Sequence, residues 1–289
     1  MQSSIHALVE VILMSDQESN RRFLTFLITL ISVIFLVVIL LSGLFITESL
    51  YAPDFSKKNL PPSMTHPFGT DFMGRNMFYR TIKGLSISMV IGFCGSTVSC
   101  MIALIFGFLA STFGKKVDLL ICGLIDLMRS IPSILFLILI SVATGRGIWG
   151  VTIAVILTHW TTLCRILRGE LLALKNTKYY KTSQRIGKSN FWIAKNHIVP
   201  HLLPHLIVGL ILLFPHAIMS EATLTFLGFG VPSEIPAVGG ILEESMQYLI
   251  SGAWWLAAFP GLCLLFVVLL FEMIGDNIRR LLDPFTSQE

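Results

Sequence analysis

The sequence predicts an all-α polytopic membrane protein, and three observations carry that prediction. Hydrophobic residues make up 54% of the 289 and charged residues only 13%, about half the roughly 25% of a soluble domain. Mean hydropathy is +0.78. Six stretches with few or no charges approach or exceed the ~20 apolar residues that cross a bilayer. None alternates apolar with polar residues as a membrane β-strand does. The same figures set the chain apart from a disordered protein and from a soluble globular enzyme. Five cysteines without a paired CxxC spacing exclude a disulfide scaffold and a Cys-type zinc module.

The elements follow in order. Residues 1–22 form a tail, in which 5–14 are mostly apolar and read either as an interfacial helix or as a frayed terminus. Residues 23–47 hold no charge and are too long for a signal-peptide core, so they read as a retained first span. Residues 84–114 give the second span, and 119–145 the third, with only Asp126 and Arg129 charged. Residues 147–164 give the fourth, 196–220 the fifth, starting near Pro204, and 245–271 the sixth. The membrane domain then covers 23–284, with 285–289 as a second tail. Uncharged runs longer than about 25 residues must include turns or tilted ends.

Six spans put both termini on one side. With that side inside, fourteen basic residues lie inside and six outside, leaving Arg129 within a span. This excess obeys the positive-inside rule, so both tails and the long connection at about 169–203 are cytoplasmic. The other long connections, 48–83 and 228–253, are external. No soluble domain of useful size is left, so ATP hydrolysis or high-affinity capture must come from other polypeptides.

The internal connection is the most informative segment. From Arg165 to Lys195 it has eight basic residues and one acid, Glu170. Apolar residues at helical spacing on both sides of Gly187 suggest two short helices hinged there, since glycine allows the tight turn. A plain interfacial helix and a partner-docking element both fit this composition. Gly187-Lys188-Ser189 imitates the end of a phosphate-binding loop, but that pattern needs glycine where Thr182 stands. Nucleotide binding by this chain is therefore rejected. The basic segment also needs no nucleic acid to explain it, because topology and anionic lipid account for it.

Residues 180–200 resemble the cytoplasmic "EAA" loop of ABC-importer permeases. That loop has Glu-Ala-Ala, then Gly, then Pro thirteen residues after the Gly, and Gly187 and Pro200 have this spacing. Lys181, Thr182 and Ser183 stand in place of Glu-Ala-Ala, a departure that removes any salt bridge the Glu would make. HPFGTDFMGRNMFYR (66–80), LTFLGFGV (224–231), AWWLAAFPG (253–261) and GDNIRRLLDP (275–284) resemble further segments of the oligopeptide, dipeptide and nickel permeases, C-type subunit. Glu272 departs from the Asn common in that family. Within it, the chain looks most like the permease of a metal–opine metallophore importer of the staphylopine type.

The resemblance implies a type I ABC-importer permease fold and a non-catalytic subunit of a bacterial plasma-membrane importer. It implies a second, B-type permease, two ABC ATPases that bind the ATP and Mg, and an extracytoplasmic substrate-binding protein, all set in membrane lipid. The cargo would be a nickel, cobalt or zinc chelate or an oligopeptide-class substrate. Lys181, Thr182, Ser183, Gly187 and Pro200 would form the ATPase coupling loop.

Charges inside a membrane are costly and face the bundle interior. Asp126 and Arg129 are three apart on one helix face and can pair, which leaves a structural brace and a path-lining role both open. In the resembled family the fifth helix lines the path, making His216, Ser220 and Glu221 candidates beside them. His197, His201 and His205 are four apart, but Pro200 and Pro204 are expected to interrupt the helix that would align them, so no metal site is assigned. Two rival readings remain. An ion-driven secondary transporter predicts internal repeats, and none is visible. An intramembrane enzyme needs an HExxH or Ser–Lys pair, and neither appears.

Overall fold

In a computed structural model the structure describes residues 2–282, with side chains described over 23–281 except at 190, 191 and 194. The tail assigned to 285–289 lies outside the described residues. Among the described residues the regular structure is helical, joined by irregular loops, the longest of which lie before Met77 and after Phe226, and a single isolated bridge pairs Thr70 with Asn76. Helix α1 (Gln2–Phe45) is continuous, so residues 5–14 belong to the same helix as the first span. Helix α2 (Met77–Thr112) begins where the Asn76 side chain accepts from the Phe78 amide at 3.1 Å, an N-cap that satisfies one orphan donor. It therefore starts earlier than expected and takes Arg80 and Lys83 out of the external loop.

The third span departs from expectation. It is two helices, α3 (Lys115–Ser130) and α4 (Ser133–Ala143), bent by 95°. The break sits at Ile131-Pro132. Pro132 has no N–H to give to a helix, and its ring forces the preceding residue out of the α region. Ile131 accordingly has φ −91°, ψ 134°. At ~1.5 Å per residue each half is shorter than the ~30 Å hydrocarbon core, so only the pair together makes one span.

Helix α5 (Gly147–Asn176) runs past the expected end at 164, so the first half of the basic segment is a helical extension and not a loop. Helices α6 (Lys178–Arg185) and α7 (Asn190–Ile193) and a π-type turn (Ala194–Ile198) lead into α8 (Val199–Phe226). Helix α9 (Val238–Leu249) is separate from α10 (Trp255–Leu282), so the sixth span begins near 255 and not 245. Among the described residues five helices are long and apolar enough to cross a membrane, six spans if the bent pair counts as one.

Helix α2 is the hub, packed against α1, α5 and α8. Its buried face is built from small residues, among them Ser88, Gly92, Gly95, Ser96, Ser99 and Ala103, which let helix backbones approach closely in lipid. A Cβ at Gly92 would stand 2.7 Å from Ile218 Cγ1, and one at Gly95 2.7 Å from Val155 Cγ1. Ser99 Oγ donates to the Ile156 carbonyl at 3.0 Å. Outward faces carry large apolar residues such as Ile34, Leu120, Leu127 and Leu265, as a lipid-facing surface requires.

Candidate functional site

The 95° break opens a cavity of ≈ 660 Å³ between α3, α4, α5 and α8, at mid-height of α5. Met128, Arg129, Ser133, Thr158, His159, Thr161, Thr162, His216, Met219, Ser220 and Thr223 are among its lining residues. Arg129, His216 and Ser220 thus share one space. His159 joins them. It was overlooked in the sequence, although a lone imidazole among three threonines inside an apolar span was the signal to notice.

The hydrogen bonds around His159 fix its ring. Nδ1 lies 3.0 Å from the Val155 carbonyl oxygen, which can only accept, so Nδ1 carries the proton and donates. Thr158 Oγ1 donates to the Ala154 carbonyl at 2.9 Å and stands 2.8 Å from the same Nδ1. In the neutral ring Nε2 then accepts from Ser220 Oγ at 3.2 Å.

Asp126 and Glu221 do not line this cavity. The intrahelical Asp126–Arg129 pair is absent, because Asp126 Oδ1 accepts from Arg165 Nη2 on α5 at 2.8 Å. Both partners are more than half exposed, so solvent screens the pair. Arg129 is left without a hydrogen bond or ion pair among the described residues. Glu221 points away from Ser220 into the α2–α8 contact and is fully buried. Its Oε1 accepts from Thr225 Oγ1 at 2.9 Å, while Oε2 has no hydrogen-bond partner among the described residues.

The basic segment forms a second feature at the end of the bundle where α3 begins and α5 ends. Thr177 adopts ψ 152° and stops α5. Tyr180 anchors α6 by burial among Leu171, Leu174, Ile193 and Ile198, leaving Lys181 and Thr182 exposed. Ser183 Oγ stands 2.8 Å from His197 Nε2, and the His197 ring packs edge-on against Tyr179 and Trp192. Gly187 takes φ +79° after α6, and its amide donates to the Gln184 carbonyl at 3.0 Å. Pro200 sits in the first turn of α8, where no intrahelical donor is missed. Arg168 of α5 forks onto Asp118 of α3 through Nε and Nη2, and Lys175 Nζ donates to the Ser111 carbonyl. Several cations of this segment are thus consumed by the bundle itself.

The expected interruption of the histidine row does not occur. Helix α8 continues through Pro204, and His201 and His205 lie side by side with ring centroids 5.6 Å apart and planes inclined by 40°. Both face Glu170, at 3.5 and 3.6 Å. His197 turns instead to Ser183. Among the described residues no group of three or more His, Cys, Asp or Glu is arranged to hold a metal ion.

At the opposite end, Asp71, Arg75 and Arg80 from the start of α2 and the segment before it meet Glu244 of α9 in one largely buried cluster. Asp71 Oδ2 accepts from Arg75 Nε at 2.6 Å and Arg80 Nη1 at 3.2 Å. Glu244 of α9 accepts from Arg75 Nη2 at 2.8 Å and from Arg80 Nη1 and Nη2 at 2.7 and 2.9 Å. Asp71 Oδ1 also accepts the Met73 and Arg75 amides. This cluster pins the segment before α2 onto α9 and so closes that end of the bundle.

Residues 101–288 match the profile of the binding-protein-dependent transport system inner membrane component family. The chain belongs to that family. Among the similar relatives is the dipeptide transport system permease protein DppC of Bacillus subtilis, 32% identical over 87% of this chain and 79% of its own. The oligopeptide transport system permease protein OppC of the same organism is 34% identical over 93% of this chain and 89% of its own. The probable D,D-dipeptide transport system permease protein DdpC of Escherichia coli is 31% identical over 90% and 87%. The inward-facing MetNI methionine ABC transporter has a chain with TM-score 0.60 and 18% identity, aligned over 72% of this chain and 98% of that one. That likeness shows a shared fold. This family member is therefore a multi-pass membrane component with the helical permease architecture.

Proposed function

We propose that this chain is the permease subunit that forms one half of the translocation path of an ATP-driven importer of oligopeptide-class substrates. One observation carries the reading: a polar cavity within the membrane-crossing helices is joined, through the rigid extension of α5, to an exposed basic helical turn. α6 with Gly187 and Pro200 is the element on which an ATPase subunit docks. It is clamped by Tyr180 and by Ser183–His197, so a push on it moves α5 and α8 together. ATP and Mg are bound by two such ATPases, a B-type permease supplies the other half of the path, and an external binding protein delivers the cargo. Access then alternates by rigid-body rocking of helices around the cavity.

The excess of cations at the α6 end supports a cytoplasmic location, in a bacterial cell, for that end and for both termini. The peptide class is supported by the relatives named above, all of which are titled for peptide transport. A metal–metallophore cargo finds no such support. The missing Glu-Ala-Ala leaves Lys181, Thr182 and Ser183 to meet the ATPase with a positive charge and hydroxyls.

Co-expression with the partner subunits, purification on a tag placed on this chain and reconstitution test the reading. Stoichiometric recovery of a second permease and two ATPases, with ATP-dependent uptake of short peptides, is expected. Uptake of a nickel chelate but not of peptides would overturn the substrate class alone. Uptake without the ATPases would overturn the importer reading itself.

A further inference from the structure

The wall of the mid-membrane cavity is unbalanced in charge. Its lining residues include one arginine, two histidines, five hydroxyl side chains from Ser and Thr on α5 and α8, and no carboxylate. The two acids nearest in sequence are engaged elsewhere. Asp126, one turn before Arg129, faces Arg165 on α5. Glu221, next to Ser220, is buried against Thr225. Arg129 and His216 therefore project donors into the cavity with no acceptor of their own among the described residues. Arg129 also stands in the last turn of α3, where the helix C-terminus favours a cation. An arginine cannot shed its proton to escape such a site, and its planar fork matches a carboxylate.

We propose that this wall binds a carboxylate of the passing molecule, with Arg129 as the principal donor, His216 as the second, and the Ser220–His159 pair orienting the hydroxyl beside them. The inference rests on the import reading above and deepens it: the group recognised is the C-terminal carboxylate of a peptide. A carboxylated metal chelate offers the same chemistry, and the test separates the two. An intramembrane arginine without a partner carries a cost. A transient anion offsets that cost during passage, and a water-filled cavity offsets it in between.

The test uses the whole reconstituted complex, with wild type, Arg129→Gln and Arg129→Lys. The probes are tetra-alanine, its C-terminal amide, and radioactive nickel held by an aminocarboxylate chelator. Arg129→Gln should lower ATP-dependent uptake of tetra-alanine at least 10-fold while the amide changes less than 2-fold, and Arg129→Lys should recover part of the loss. Equal loss of acid and amide, or no loss of either, overturns the proposal. A selective loss confined to the nickel chelate assigns the carboxylate to a chelate and overturns the peptide assignment. A second readout stands apart from cargo. Thr223→Cys places a thiol on the wall, and labelling is corrected for the native cysteines with the parent complex. An anionic methanethiosulfonate should modify Cys at that position at least 10-fold faster than a cationic one, with the preference lost in Arg129→Gln. Absence of that preference overturns the inference even where no probe is transported. Failure of all uptake with the preference intact faults the import reading instead.

Discussion

Substitution of Gly187 separates backbone conformation from side-chain contact in the α6 turn. Its φ of +79° lies in the left-handed region. A Cβ built there meets nothing within 4 Å among the described residues, so the cost of alanine is conformational. That cost is roughly 1–2 kcal/mol, or about 5–30-fold in the population of the native turn. The turn is held by Lys188 N–H to the Ser183 carbonyl at 3.1 Å, by the Gly187 amide on Gln184 at 3.0 Å and by Ser183 on His197 at 2.8 Å. Each such bond contributes a net ~0.5–1.5 kcal/mol. Alanine therefore loosens the turn in a fraction of molecules and does not unfold it. Valine, β-branched at a left-handed φ, does more damage, and asparagine, which tolerates that region, does less. Reconstituted complexes should rank Gly, Asn, Ala, Val in uptake per ATP hydrolysed, with equal membrane insertion. Hydrogen exchange of amides 183–190 should quicken in the same order. If valine matches asparagine in both readouts, the φ at 187 does not position α6 and the coupling argument fails.

Other expectations follow from the same geometry. Arg80→Ala leaves the Glu244 carboxylate, only 16% exposed, with Arg75 alone, and breaking a buried pair costs about 3–5 kcal/mol. The detergent-solubilised protein should melt several degrees lower, with part of the loss recovered in Arg80→Met/Glu244→Leu, and identical melting would refute a structural role for the cluster. Gly43→Leu must fail at the α1–α2 contact, because a Cβ there would stand 2.2 Å from Ser86 Cβ. Crosslinking between α1 and α2 should fall, whereas Gly169→Leu, with nothing within 4 Å, should leave it unchanged. Asp126→Ala should alter melting little, since its pair with Arg165 is exposed and worth ~0–1 kcal/mol. Asp118→Ala loses the forked, less exposed contact with Arg168 and should cost more. The opposite ranking would refute the burial argument.

Much of the architecture was legible because lipid leaves little choice. Long uncharged runs must become helices, and the cation excess points to one end. The turn after α6 was legible as well, since Gly187 marks a backbone exception that the structure places at φ +79°. Span ends were read less well. Charge marked the limits of the fourth span, yet α5 continues past it because Arg165, Arg168 and Lys175 find partners on neighbouring elements or in solvent. The pairing of Asp126 followed local spacing, but the tertiary partner Arg165, thirty-nine residues away, prevailed.

Composition and pattern alone determined that the chain is helical and crosses the membrane several times. Those properties sum over many residues, and each residue votes independently. Only the tertiary structure decided that Ile131-Pro132 is a 95° corner and not a mild kink. Only it showed that the corner opens a cavity, that His159 shares it with Arg129, His216 and Ser220, and that Glu221 turns away. It also assembled Asp71, Arg75, Arg80 and Glu244 into one cluster. A cavity or an ion cluster is made by residues from different helices meeting in space, and helix rotation and crossing, which set that meeting, leave no periodic mark on the chain.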